Sequence, residues 1–96
     1  MSVTIESYKA LAESSYYKFY GSHIEDVPKN IEGHNHIVQV ASSVMMDRDG
    51  FCPGGGFVKA INANNLEETV ARADATCIKH LQFFVYCKKF SHLNQY

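Results

Sequence analysis

Ile5, Tyr8, Leu11, Ala12, Tyr16 and Phe19 recur along the first twenty positions at intervals that place them on one side of an α-helix. Thr4 supplies an N-cap and Gly21 a stop, so a helix is expected over TIESYKALAESSYYKFYG. A polar connector follows, SHIEDVPKNIEGHN, with Pro28 and Gly33 as breakers. The next apolar stretch, NHIVQVASSVMMDRDG, fits two templates. Val38, Val40, Val44 and Met46 nearly alternate, as in a strand. Ile37, Val40, Ala41, Val44 and Met45 fit the helical template better, with Asn35 as cap, and helix is the preferred reading. Asp49-Gly50 then marks a turn.

A short third helix is predicted from Gly55 to Ala63, stopping at Asn64-Asn65. Asn65 caps the next one, with Glu68 three residues on. Glu68 and Arg72 are four apart and can pair on the helix surface, a gain of about 0.2–0.5 kcal/mol. Asp74 can recap the chain, so the segment up to Phe90 is one long helix or two with a kink near Ala73-Asp74. Ile78, Leu81, Phe84, Val85 and Lys88 mark its later part, and Lys88 and Lys89 near its end complement the helix dipole. The pattern predicts a mostly α fold: one compact, small helical domain of about four helices over residues 1–96. The alternative is an α+β fold with a short strand pair near residues 36–46.

Composition supports a single domain. The 96 residues are 46% hydrophobic with two prolines, which is neither a disordered composition nor enough chain for two cores. Six Phe and six Tyr supply large buried area. A domain this small often gains stability from an oligomer interface, so a homo-oligomer is one expectation. The formal net charge of −1 argues against a nucleic-acid partner, which calls for a basic excess. The opening MSVTIESYKALAE has no basic region followed by a long apolar run, and no stretch approaches the ~20 apolar residues of a membrane span. A cytoplasmic protein without a membrane partner is expected. The odd count of three cysteines, Cys52, Cys77 and Cys87, agrees with reduced thiols.

Candidate chemistry is sparse. Gly54-Gly55-Gly56 before a helix, with Lys59 one turn in and Arg72 nearby, can present N–H groups and cations to a phosphate. The segment lacks the spacing and the Lys-Ser/Thr pair of a P-loop, and no strand precedes it as a dinucleotide fingerprint requires. The plain alternative is a tight turn that lets Phe57 pack inward. Arg72 and Asp74 could clamp a ligand, but the preferred reading pairs Arg72 with Glu68 and makes Asp74 a helix cap. Cys77 and His80, Cys87 and His92, and His34 and His36 are close in sequence, but none has the paired spacing of a structural zinc site, and no metal or cofactor is expected. Cys52 before Pro53 has no signature of a nucleophile, and the carboxylates of Asp47, Asp49, Glu67 and Glu68 fit caps and solvated faces. No catalytic constellation emerges, and a non-enzymatic protein is expected. Tyr8, Tyr16, Tyr17 and Tyr20 wrap around the first helix, so not all can face a small core, and they form the candidate protein interface.

The segment from Pro53 to Tyr86 resembles a family of short uncharacterised bacteriophage and prophage proteins. The likeness is carried by Gly55-Gly56-Phe57, Ala60, Asn64-Asn65-Leu66, Arg72-Ala73-Asp74 and the aliphatic-aromatic run from Ile78 to Tyr86. Asn65 stands where the family tends to have Asp, and the Asn and Pro that usually close its tail are missing after Tyr86. The resemblance brings no activity. It implies a phage-type accessory protein, acting in the cytoplasm of an infected or lysogenic bacterial host, that binds and modulates or inhibits a host protein such as a defence component. The alternative expectation is a small-ligand binder that sequesters a phosphate-bearing nucleotide signal, with tyrosines able to stack on its base.

Overall fold

The computed structural model describes residues 4–20 and 31–93. Six helices are present among them: α1 (Ile5–Tyr20), α2 (Ile31–Arg48), α3 (Gly56–Asn62), α4 (Leu66–Arg72), α5 (Ala75–Lys79) and α6 (Leu81–Phe90). No strand occurs among the described residues. The mostly α expectation therefore holds, while the strand pair near 36–46 is replaced by the middle of α2. Of the expected connector, residues 22–35, positions 22–30 with Pro28 lie outside the described residues, as does Gly21, and positions 31–35 open α2.

The helix starts follow local chemistry. Thr4 Oγ1 accepts a hydrogen bond from the Ser7 N–H at 3.2 Å, and Ser7 Oγ accepts one from the Thr4 N–H at 3.3 Å. This reciprocal cap satisfies two otherwise orphaned donors. Asn65 Oδ1 accepts from the Glu68 N–H at 3.1 Å, and Asp74 Oδ1 from the Cys77 N–H at 2.7 Å, as the sequence predicts. Gly33 and Asn35 are corrections. Neither breaks nor caps a helix, because α2 starts at Ile31 and runs through both. A helical glycine costs about 1 kcal/mol, which the apolar face of an 18-residue helix readily offsets.

The stop expected at Asn64-Asn65 is present, with Asn64 at a left-handed φ of 59°, a conformation that asparagine tolerates. The expected last helix is three helices rather than one or two, and both breaks have a backbone cause. Ala73 is extended at ψ 138°. His80, at φ −110° and ψ 18°, ends α5 and starts α6. Six helices thus replace about four.

Helix α2 is the hub, packing against α1, α3, α5 and α6. Its Ile37, Ala41, Val44 and Met45 are fully buried, as are Ala12 and Tyr16 of α1 and Phe83, Phe84 and Cys87 of α6. Phe83 meets Tyr16 edge-on with centroids 5.4 Å apart, and Phe84 meets Phe57 in the same way at 6.0 Å. Each such buried ring stabilises the fold by roughly 1.5–3 kcal/mol through burial, with a further contribution from the edge-to-face geometry. A buried 2.6 Å hydrogen bond between the Ser15 and Ser91 hydroxyls ties α1 to the end of α6.

The C-terminal end of α2 anchors three neighbouring elements through consecutive charged residues. Asp49 Oδ2 accepts the Tyr8 hydroxyl of α1 at 3.0 Å. Arg48 Nη1 lies 2.9, 3.1 and 2.7 Å from the carbonyls of Cys87, Lys88 and Ser91 at the end of α6. Asp47 reaches the loop before α3. The Arg48 guanidinium thus supplies positive charge and donors where helix-end carbonyls lack partners. Replacing it removes this donor from the part-buried Lys88 and Ser91 carbonyls, while the Cys87 carbonyl keeps the Ser91 N–H. Arg48→Ala is expected to cost about 2–3 kcal/mol, measured as a lower urea midpoint with an unchanged denaturant slope. Arg48→Lys should recover part of this loss, since it restores the charge but not the planar donor fork.

Candidate functional site

Asp47 decides what the glycine segment can do. Its Oδ1 accepts the Gly54 N–H at 3.1 Å and lies 3.4 Å from Lys59 Nζ. Its Oδ2 accepts from Asn62 Nδ2 at 2.8 Å. These hydrogen bonds, that from Asn62 foremost and that from Gly54 next, hold the Asp47 carboxyl below its ordinary value of 3.8. The anion expected at Gly54 and Lys59 is therefore met by a carboxylate of the chain itself. Gly54 is required sterically: a Cβ there would stand 2.5 Å from Val58 Cγ1.

Gly55 and Gly56 belong to different surroundings. A Cβ on Gly56 would lie 2.8 Å from Arg72 Nη1, so the bare backbone makes room for the guanidinium. Arg72 Nε also donates to Glu68 Oε2 at 2.7 Å, the pair expected from their spacing. Gly55, Gly56, Phe57 and Arg72 line a cleft of about 370 Å³ together with His36, Val40, Asp74 and Cys77. Of the five residues expected to bind a ligand, the structure thus gathers Gly55, Gly56 and Arg72 and commits Gly54 and Lys59 elsewhere.

The far wall of this cleft carries a cluster that the sequence reading missed. His36 of α2, Asp74 at the cap of α5 and Cys77 of α5 converge, with one potential ligand atom from each lying within 4.8 Å of the others. His36 Nε2 is 3.4 Å from Asp74 Oδ2 and 3.8 Å from Cys77 Sγ. The Cys77 N–H, more than any other group, holds the Asp74 carboxyl below its ordinary range, with His36 adding to the effect. Burial, followed by the nearby Asp74 carboxylate, pushes the Cys77 thiol up to about 11. Forty-one positions separate His36 from Cys77, so no linear motif announces them. The only local signal is an Asp and a Cys three apart at a helix start. Among the described residues the other pairings form no such group: His80 is buried, and its pKa is lowered first by that burial. Cys87 sits in the core, where its thiol is pushed up to about 12.

The expected tyrosine interface needs correction. Tyr8 and Tyr16 are 3% and 0% exposed, because residues 8, 12 and 16 of α1 stack along the side that faces α2. Neither can offer area to a partner. Tyr17 is 49% exposed, and the Tyr20 side chain lies outside the described residues.

An apolar surface appears instead on α4. This helix buries only Thr69, whose hydroxyl donates back to the Asn65 carbonyl at 2.7 Å. Leu66 and Val70, four apart and so on one side of the helix, are 71% and 48% exposed. Leu66 opens onto a groove of about 200 Å³ with Ile61, Leu81 and Val85, edged by Lys88 and Lys89. Lys88 Nζ donates to the Ile61 carbonyl at 3.0 Å and to Asn64 Oδ1 at 2.6 Å, which closes the end of α3. Among the described residues, no helix is long and apolar enough to cross a membrane.

No family model matches the chain, and no curated protein or solved structure matches it.

Asp47 gives the site a pH dependence of definite sign. Its folded-state value is depressed, so its contribution to stability is fully present above the unfolded value, near pH 4, and is lost as pH falls through the folded value. Asp47→Asn is expected to lower stability at neutral pH and to flatten part of the fall on the acid side. Urea unfolding at a series of pH values reads both effects; parallel acid limbs for the two proteins would contradict the assignment.

Proposed function

We propose that this chain is a non-enzymatic protein-binding module that docks an apolar segment of its partner into the groove between α4 and α6. The observation that carries this reading is the reversed burial of α4, which covers a threonine while leaving Leu66 and Val70 in solvent. A helix that exposes its large side chains in this way leaves apolar area uncovered until something packs on it, and contiguous apolar surface with a polar rim is characteristic of interaction sites. Leu66, Ile61, Leu81 and Val85 supply the apolar floor, and Lys88 and Lys89 the rim. The phage-type origin implied by the segment from Pro53 to Tyr86 makes a bacterial host protein, such as a defence component, the natural partner, with the host cytoplasm as its setting. Leu66 itself lies within that segment.

The alternative, a binder of a phosphate-bearing nucleotide, retains Gly55, Gly56 and Arg72 around one cleft. It is weakened by the charges already placed there. Asp47 meets Gly54 and Lys59, Glu68 meets Arg72, and Asp74 lines the cleft itself. Each carboxylate opposes a phosphate by like charge.

Leu66→Lys and Val85→Lys change exposed positions and should leave the far-ultraviolet circular dichroism intact. Each is expected to weaken capture of the partner from bacterial lysate by at least ~10-fold, as removal of a central apolar anchor does, read by quantitative mass spectrometry beside the unaltered protein. Tyr17→Ser, on α1, should not. Equal recovery of the same partner by the Leu66 and Val85 variants would remove the groove from consideration. A protein that captures nothing yet tightly retains a nucleotide would favour the alternative.

A further inference from the structure

From the convergence of His36, Asp74 and Cys77, we infer a binding site for one zinc-like divalent transition-metal ion, with its remaining coordination position open to the cleft beside Gly56 and Arg72. The inference goes beyond the groove reading and does not depend on it.

The geometry is close to what an ion requires. Zinc–sulfur bonds near 2.3 Å and zinc–nitrogen or zinc–oxygen bonds near 2.0–2.1 Å, at tetrahedral angles, put neighbouring ligand atoms about 3.3–3.6 Å apart. The observed separations of 3.4 Å between His36 Nε2 and Asp74 Oδ2 and 3.8 Å between His36 Nε2 and Cys77 Sγ need only small side-chain adjustments. The donor set of imidazole, carboxylate and thiolate is a zinc set, with sulfur and nitrogen selecting against magnesium and calcium. Three protein ligands leave a fourth position for water or a small anion, the arrangement of open rather than closed zinc sites.

The surroundings orient the ligands. Asp74 uses Oδ1 to cap α5 through the Cys77 N–H at 2.7 Å, which leaves Oδ2 facing His36. A capped carboxylate of this kind is held in orientation by its second oxygen, as outer partners hold metal ligands elsewhere. Cys77 is 5% exposed and lines the cleft. As the metal–sulfur bond forms, the thiol proton leaves to solvent. The dication is then balanced by one thiolate and one carboxylate, so the half-buried site ends neutral. The ion would join α2 to α5, a helix of five residues that has little stability of its own.

Cobalt(II) titration of the unaltered protein tests the site directly. The expected result is one equivalent of cobalt giving a sulfur-to-cobalt charge-transfer band and the strong visible bands of four-coordinate cobalt, both erased by zinc. Cys52→Ser, which removes the exposed thiol, should leave the spectrum unchanged. Cys77→Ser should abolish the charge-transfer band, and His36→Gln and Asp74→Asn, which keeps an amide oxygen at the cap, should each weaken cobalt binding at least 10-fold. Zinc should also raise the melting temperature of the unaltered protein and not that of Cys77→Ser. The assignment is overturned if the unaltered protein gives no such band under excess cobalt, or if the band survives Cys77→Ser and disappears with Cys52→Ser. Unchanged affinity in both His36→Gln and Asp74→Asn would overturn it equally.

Discussion

The arrangement of the helices depends on the run Asp47-Arg48-Asp49 at the C-terminal end of α2. A helix end exposes unsatisfied carbonyls and carries partial negative charge, so two carboxylates there are unfavourable unless each has a donor. Here every charge is directed at a different neighbour. Asp49 takes the Tyr8 hydroxyl of α1, Arg48 takes the terminal carbonyls of α6, and Asp47 takes Gly54, Asn62 and Lys59 at α3. Arg48 also forks onto Asp49 with bonds of 2.7 and 2.9 Å, which orients both side chains. Hydrophobic burial drives the helices together, but it is nondirectional. The directional contacts at this corner fix which end of each helix lies where.

The helical pattern of the core was legible because it is periodic and local. Of the residues that the spacing marks, Tyr8, Ala12 and Tyr16 on α1 and Ile37, Ala41, Val44 and Met45 on α2 are buried and Leu11, Phe19 and Val40 are partly buried, whereas Ile5, at the start of α1, is exposed. The caps at Thr4, Asn65 and Asp74 were legible for the same reason, since a cap is a contact between residues three apart. What sequence spacing could not show was where α2 starts and how often the last third of the chain breaks. Gly33 and Asn35 have intrinsic preferences for helix ends, yet tertiary packing along α2 overrides them. His80 has no strong propensity to stop a helix, and its break follows from tertiary placement, because the side chain is buried there.

The candidate sites divide along the same line. The sequence reading found the glycines and the cations but not their counter-charge, because Asp47 is seven positions from Gly54 and twelve from Lys59. A glycine-rich helix start attracts any carboxylate the fold brings near it, and one within the chain arrives at a far higher effective concentration than a ligand. The tyrosines were misplaced for a different reason. Tyrosine reads as an interface residue because one end is polar, but the Tyr8 hydroxyl finds Asp49 inside the fold, and the ring can then be buried. The cluster of His36, Asp74 and Cys77 was invisible because its two halves come from helices far apart in sequence.

Helices α4 and α5 each bury a single residue, Thr69 in one and Cys77 in the other. Helix α4 packs against α3 and α5 against α2 and α6, but with so few residues buried the span from Asn65 to Lys79 belongs to the low end of local stability. Both candidate sites fall in this span: the groove rests on Leu66, and the ligand cluster on Asp74 and Cys77. A partner packing on α4, or an ion joining α5 to α2, would add its binding free energy where the fold supplies least. The two are joined by the extended residue Ala73, with Arg72 on one side lying against Gly56 and Asp74 on the other facing His36. Fixing Asp74 on α2 restricts the backbone of its neighbour Arg72, and with it the end of α4.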